Sequence, residues 1–211
     1  MNILYEDKYI VCPVKEPGIP SQKDPSGRRD MTELLCEKCG IREVFCVHRL
    51  DTATGGVMVY AKDKNSAAVL SRQFAATPED KAVEKEYLCA VRAENIGSGK
   101  MDDLLYHDRI RNKTFIVDKK RAGVKRAALI YEGLREHDGI SIVKVRLLTG
   151  RTHQIRAQFA SRGMPLCGDG KYGSRDKCPL ALMCTSLSFC HPHTGERITV
   201  SVLPPDAFPW K

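Results

Sequence analysis

Two short stretches of this chain gather the residue types that acid–base and nucleophilic chemistry uses. His48-Arg49-Leu50-Asp51 leaves an apolar run and enters the small-residue turn Thr52-Ala53-Thr54-Gly55-Gly56. A carboxylate two residues from a guanidinium, on a tight loop between buried strands, can act as nucleophile or general base. The plainer alternative is a turn capped by Asp51, because Asp-Thr is common turn chemistry. Local composition alone favours that alternative. The second stretch is Thr149-Gly150-Arg151-Thr152-His153-Gln154-Ile155-Arg156. Arg151 precedes a helix whose apolar stripe contains Ile155 and Phe159, while His153 and Arg156 lie three apart on another face. Here too a plainer reading stands beside the chemical one, namely a solvated helix face. Just beyond that helix, Gly168-Asp169-Gly170-Lys171-Tyr172-Gly173 reads as a tight turn.

Charge narrows the class of partner. The 211 residues carry 34 Lys+Arg against 26 Asp+Glu, a formal net charge of +8. Between His107 and Arg126 lie Arg109, Arg111, Lys113, Lys119, Lys120, Arg121, Lys125 and Arg126, opposed only by Asp108 and Asp118. Such a concentration is the footprint of a phosphate-contacting segment. A metal-dependent nuclease would need clustered carboxylates or histidines, and Asp51 has only cations nearby in sequence. Cys36-Glu37-Lys38-Cys39 has zinc-knuckle spacing, with Cys46 and His48 close behind, but no clear second ligand pair follows. No metal site is expected. The 9 cysteines are odd in number and several sit in apolar runs, which argues against a disulfide framework. No apolar run approaches ~18 residues and no signal segment is visible, so a soluble, cytoplasmic protein is expected.

The elements that must position these residues are mostly strands. Residues 44–47, 56–61, 86–91, 142–148 and 198–202 read as strands, the last two by apolar alternation. Residues 66–76, with Leu70 and Phe74 on one face and Pro78 as a stop, read as a helix. So do residues 152–162, which end at Gly163. Pro13 to Gly27 is a turn-rich loop. No linker divides the chain, so residues 1–211 are expected to form one α+β domain on a mixed, largely antiparallel sheet.

Taken together the segments closely resemble the RluA-type pseudouridine synthases, over nearly the whole chain. The resemblance runs through Ile3 to Asp7 and Lys15 to Gly18, then His48 to Asp51 with Thr54-Gly55-Gly56, then Lys85-Glu86-Tyr87-Leu88. It continues in Thr149 to Arg156, Gly163 to Asp169 with Tyr172-Gly173, and Leu187 to Glu196. Three positions depart from the family pattern. Glu16 intervenes between Lys15 and Pro17, Gly55 stands where the family has Ser, and Met183 replaces a common His. The small N-terminal RNA-binding domain of many relatives is expected to be missing.

The resemblance implies a sheet split by a catalytic cleft and an enzyme that detaches uracil from C1′ of its ribose and rejoins it through C5. Asp51 would be the catalytic carboxylate, Arg156 its cationic partner, and Tyr87 the aromatic that packs the base and relays a proton. Arg49 would help hold the flipped nucleotide open. Arg151 and His153 would be phosphate or structural contacts, and Lys119, Lys120 and Arg121 would bind the RNA backbone. No cofactor is expected, the partner is rRNA or tRNA with no membrane or obligate protein partner, and a monomer is expected. The rival reading is a catalytically inactive RNA-binding protein of the same fold.

Overall fold

The computed structural model describes residues 1–25, 27–76 and 83–210. The expected helix stop at Pro78 and the turn position Ser26 lie outside the described residues. The chain forms two compact units. Unit 1 contains Met1–Lys85 and Cys184–Leu203, and unit 2 contains Glu86–Met183 and Pro204–Lys211. The chain passes between them at three points, so neither unit is one continuous segment.

In unit 1, β1 (Ile3–Glu6), β2 (Ile10–Lys15), β3 (Phe45–Cys46), β4 (Gly55–Val57) and β5 (Tyr60–Ala61) join with the later strands β11 (Leu182–Cys190) and β12 (Arg197–Ser201). The order is β3-β5-β2-β4-β11, with β1 on β2 and β12 on β11. Residues 56–61 read as one strand in the sequence but form two, and the break falls at Met58-Val59. Gly56, within β4, has a φ of 120°, a region that side chains rarely enter. Helix α2 (Lys64–Ala75) starts two residues earlier than its apolar pattern. Asp63 caps it, taking the Ser66 N–H at 2.9 Å and the Ser66 hydroxyl at 2.6 Å. These bonds hold the Asp63 carboxyl below its usual range. The core of the unit is Ile10, Cys12, Val57, Val59, Ala61, Leu70, Leu187, Phe189 and Val200. Opposite each other on β11 and β12 are Leu187 with Val200 and Phe189 with Ile198, pairs that lock the ladder by packing. The sequence reading missed α1 (Met31–Cys39), although Asp30 caps its start and Gly40 closes it in the left-handed conformation.

In unit 2 the strand order is β6 (Val83–Val91), β10 (Ile140–Leu147), β9 (Val124–His137), β7 (Ser98–Asp108), β8 (Lys113–Val117), every described pair antiparallel. The alternation read in residues 142–148 belongs to β10, where Val143 and Val145 are fully buried. The basic stretch 109–126 runs through the β7–β8 turn, β8, the β8–β9 turn and the start of β9. Arg109 to Arg111 occupy the β7–β8 turn, and Lys119 to Arg121 the β8–β9 turn. Helix α3 (Gln154–Ala160) and a single 3-10 turn (Gly170–Tyr172) complete the unit. Among the described residues, no helix is long and apolar enough to cross a membrane. All 9 cysteines are free thiols.

Gly56 is the tightest point of the first unit. A Cβ placed there would stand 2.2 Å from the carbonyl oxygen of Cys184. Gly56→Ala therefore combines positive-φ strain with overpacking, at a cost of about 2–6 kcal/mol. Urea denaturation should show the midpoint falling accordingly, whereas Gly27→Ala, with open space around it, should show only the smaller cost of its φ of 68°.

Candidate active site

The loop that carries Asp51 is held from three sides within unit 1. Upstream, the His48 ring stacks on Phe74 at 4.3 Å and 4° and accepts the Val59 N–H at Nε2, 3.1 Å away. Burial pushes its pKa down to about 3, so it is a neutral structural ring, with Nε2 as acceptor. In the middle, buried Leu50 is gripped through its backbone, as Ser21 Oγ donates to its carbonyl at 2.9 Å and accepts its N–H at 3.1 Å. Downstream, the Thr54 N–H returns to the Asp51 carbonyl at 2.9 Å and closes the turn. Asp51 itself is half-buried and Arg49 is exposed.

A further grip is Lys15, a charge with no solvent exposure at the end of β2. Its Nζ donates to the carbonyls of Glu16 at 3.1 Å, Ile19 at 2.7 Å and Thr52 at 3.0 Å. Three carbonyls use the three protons of an ammonium. Burial lowers the Lys15 pKa to about 8, and the negative charge of Asp51 opposes the fall. Lys15 therefore brings a second cation, besides Arg49, to the Asp51 loop. The Gly18 N–H also reaches the Thr52 carbonyl, at 2.7 Å. Where the family has Ser, Gly55 makes room for Pro17: a Cβ there would lie 3.1 Å from Pro17 Cδ.

In unit 2, Tyr87 is buried on β6 opposite Val145 of β10. Helix α3 departs from the solvated-face alternative, because Gln154 to Phe159 are all buried. Each polar side chain has a specific partner. Gln154 donates to the Ala128 carbonyl at 3.0 Å and accepts from Thr149 Oγ1 at 2.8 Å and the Arg151 N–H at 3.0 Å. Gln158 donates to Asp103 at 2.6 Å. Arg156 makes a two-pronged ion pair with Asp169, both contacts 2.8 Å. The Tyr172 ring centre lies 5.1 Å from its guanidinium carbon.

His153 caps α3 at a left-handed φ of 52°, and its Nδ1 lies 3.1 Å from the Tyr172 hydroxyl. His153 is buried. Arg151 is exposed, with Nε donating to the Arg126 carbonyl at 3.1 Å. The sequence reading did not single out Lys15, Asp169 or Tyr172 for roles of their own. It read the first only as part of a motif and the other two as a turn.

The basic residues differ in availability. Arg126 is paired with Asp102, at 2.7 Å through Nε. Arg111 lies 3.7 Å from Asp108. Lys119, Lys120 and Arg121 are exposed in the β8–β9 turn, with Arg121 resting on the Tyr106 ring at 4.9 Å. Cys36 and Cys39 sit one turn apart on α1, and burial raises both thiols above the usual range.

Residues 8–161 match the family model described as RNA pseudouridylate synthase. The chain belongs to this family, in its RluA-type branch, and is an isomerase of uridine in RNA. It is 32% identical to an uncharacterized RNA pseudouridine synthase of Aquifex aeolicus, covering 99% of this chain and 71% of that protein. It is 32% identical to tRNA pseudouridine synthase C of Haemophilus influenzae (95% and 92%), and 31% identical to ribosomal large subunit pseudouridine synthase D of Xanthomonas campestris (98% and 66%). The fold is shared with human RNA pseudouridylate synthase domain containing 4, with a TM-score of 0.77 at 22% identity, covering 97% of this chain and 89% of that one.

The Lys15 clamp has a pH signature. Its folded pKa is below the unfolded value of about 10.4, so between about 8 and 10.4 the unfolded chain binds more protons. Stability contributed by Lys15 must then rise with pH across that window and carry its full burial penalty below it. Relative to Lys15→Met, the wild-type protein should gain on the order of 1 kcal/mol per pH unit there, read by denaturation at pH 7.5, 8.5 and 9.5. A stability difference flat with pH would mean that Lys15 does not pay for burying its charge.

Proposed function

We propose that this protein isomerises specific uridines of rRNA or tRNA, with Asp51 as the carboxylate that acts at the sugar. The observation that carries the proposal is the clamp on the Asp51 loop by Lys15, Ser21 and His48. Such a clamp fixes a carboxylate before substrate arrives, as catalysis by positioning requires. Asp51 must stay ionised when the nucleotide displaces water, and a guanidinium partner serves this because it remains charged at any working pH. Arg156 is proposed for that part. Tyr87 is proposed to pack against the uracil and to relay the proton that leaves C5. Arg49, exposed beside the clamped loop, is proposed to support the flipped-out nucleotide. The isomerisation breaks one glycosidic bond and forms another within the same nucleotide, so its electrons and atoms balance without an outside acceptor.

The exposed turn Lys119-Lys120-Arg121 is proposed to contact backbone phosphates. Support comes from its lack of burial and from its setting between two strands that fix the turn's ends. An inactive RNA-binding protein of the same fold would have no use for a pre-clamped Asp51 loop.

Release of tritium from C5 of labelled uridine in rRNA and tRNA transcripts tests the reaction. Asp51→Asn keeps the shape and removes the charge. It should abolish release while leaving RNA affinity and the folded state nearly intact. Retention of a tenth of the wild-type rate would remove Asp51 from the role.

Neutralising Lys119, Lys120 and Arg121 together should weaken RNA binding and flatten its salt dependence. The slope of log affinity against log salt should drop by roughly 0.7–0.9 per lost phosphate contact. Turnover at saturating RNA should survive. An unchanged slope would make the turn a solvated loop.

A further inference from the structure

We infer that Asp169 is a positioning residue that sets the plane and direction of the Arg156 guanidinium. The inference rests on the proposed role of Arg156 and adds the group that makes that role possible. An arginine side chain has many rotamers, and ordering it during the reaction would cost entropy at the barrier. Here the ordering precedes the substrate. Arg156 Nε donates to Asp169 Oδ2 and Nη2 donates to Oδ1, each at 2.8 Å, so the planar fork has one orientation. The Tyr172 ring lies 5.1 Å from the guanidinium carbon. That ring is held by its hydroxyl, which accepts the Thr114 N–H at 2.8 Å and donates to the Thr114 carbonyl at 3.2 Å.

The carboxylate is as firmly set as the guanidinium. The Asp169 N–H donates to the Leu166 carbonyl at 3.0 Å, and the Asp169 carbonyl accepts the N–H groups of Tyr172 and Ser174, both at 3.0 Å. Gly168, just before it, has φ 75°, and a Cβ there would lie 2.2 Å from the Pro179 carbonyl oxygen. The turn has no room for a side chain at Gly168. Both members of the pair are buried, with side-chain exposures of 8% and 1%. A buried ion pair adds little net stability over apolar groups of the same volume, so stability alone does not account for it. The two bonds occupy Nε and Nη2 and leave Nη1 outside the pair with Asp169. Asp169 thus anchors one edge of the fork and so fixes where the other edge points.

The test compares wild type, Asp169→Asn and Asp169→Glu on the transcript that the wild-type protein modifies. Pseudouridine formation is measured across pH, and the folded fraction by circular dichroism. In Asp169→Asn, kcat should fall on the order of 10²-fold with KM changed by less than about two-fold. If Arg156 has the proposed role beside the catalytic carboxylate, displacing its guanidinium should move the acid limb of the kcat profile to higher pH. Asp169→Glu keeps the charge and should recover part of both. If Asp169→Asn does not fold, the same limb is read on Asp169→Glu, where it should lie above that of wild type.

An unmoved acid limb, with kcat falling only in step with the folded fraction, would make the pair a structural tie and overturn the inference. A limb moved to lower pH would also overturn it, because Asp169 would then compete for Arg156 instead of placing it. Absence of pseudouridine in the wild-type reaction would instead overturn the functional reading itself.

Discussion

An ammonium with no access to water needs every one of its protons taken, and in this protein that requirement organises the loop that carries Asp51. Lys15 has three carbonyl acceptors, two in the turn that follows β2 and one directly after Asp51. Because the demand is for three acceptors in tetrahedral directions, the two loops cannot slide past each other without stranding a buried charge. The clamp thereby ties the position of Asp51 to a strand end many residues away. Ser21 and the neutral His48 remove the freedom that remains on the upstream side.

Unit 2 uses the same physics with a different group. Helix α3 has only 7 residues, too few to hold its shape by its own hydrogen bonds, and it is polar on faces that are buried. Gln154 and Gln158 bind strand carbonyls as well as side chains, which nails the helix to β9 and β7. Arg156 lies between these two fixed points. Its direction is therefore set twice, by the backbone of α3 and by Asp169.

What could be read from the sequence followed the range of the interactions involved. Helix α2 was legible because its stripe of Ala67, Leu70 and Phe74 is local. Strand β10 was legible because Val143 and Val145 alternate with charged residues. The RluA-type resemblance pointed to Asp51, Tyr87 and Arg156, whereas the residues alone left a capped turn and a solvated helix as strong alternatives. Those alternatives fail or stand on partners remote in sequence, such as Asp103 for Gln158 and Asp169 for Arg156. Lys15 was legible only as a motif letter, because its acceptors are backbone carbonyls, which no side-chain pattern reveals. Helix α1 had usable signals in Asp30 and Gly40, but only Met31 and Leu35 are buried, too weak a stripe to stand out.

Pro17 connects two positions at which this chain departs from its family pattern. Relative to its family, the chain carries Glu16 ahead of Pro17 and lacks a side chain at residue 55. Pro17 lies against the space where that side chain would be, with its ring carbons 3.1 and 3.2 Å from the absent Cβ and the Lys15 carbonyl at 3.4 Å. The two departures therefore meet at one contact. Restoring the serine without also removing Glu16 would press the proline ring by a few tenths of an ångström against the strand end that carries Lys15.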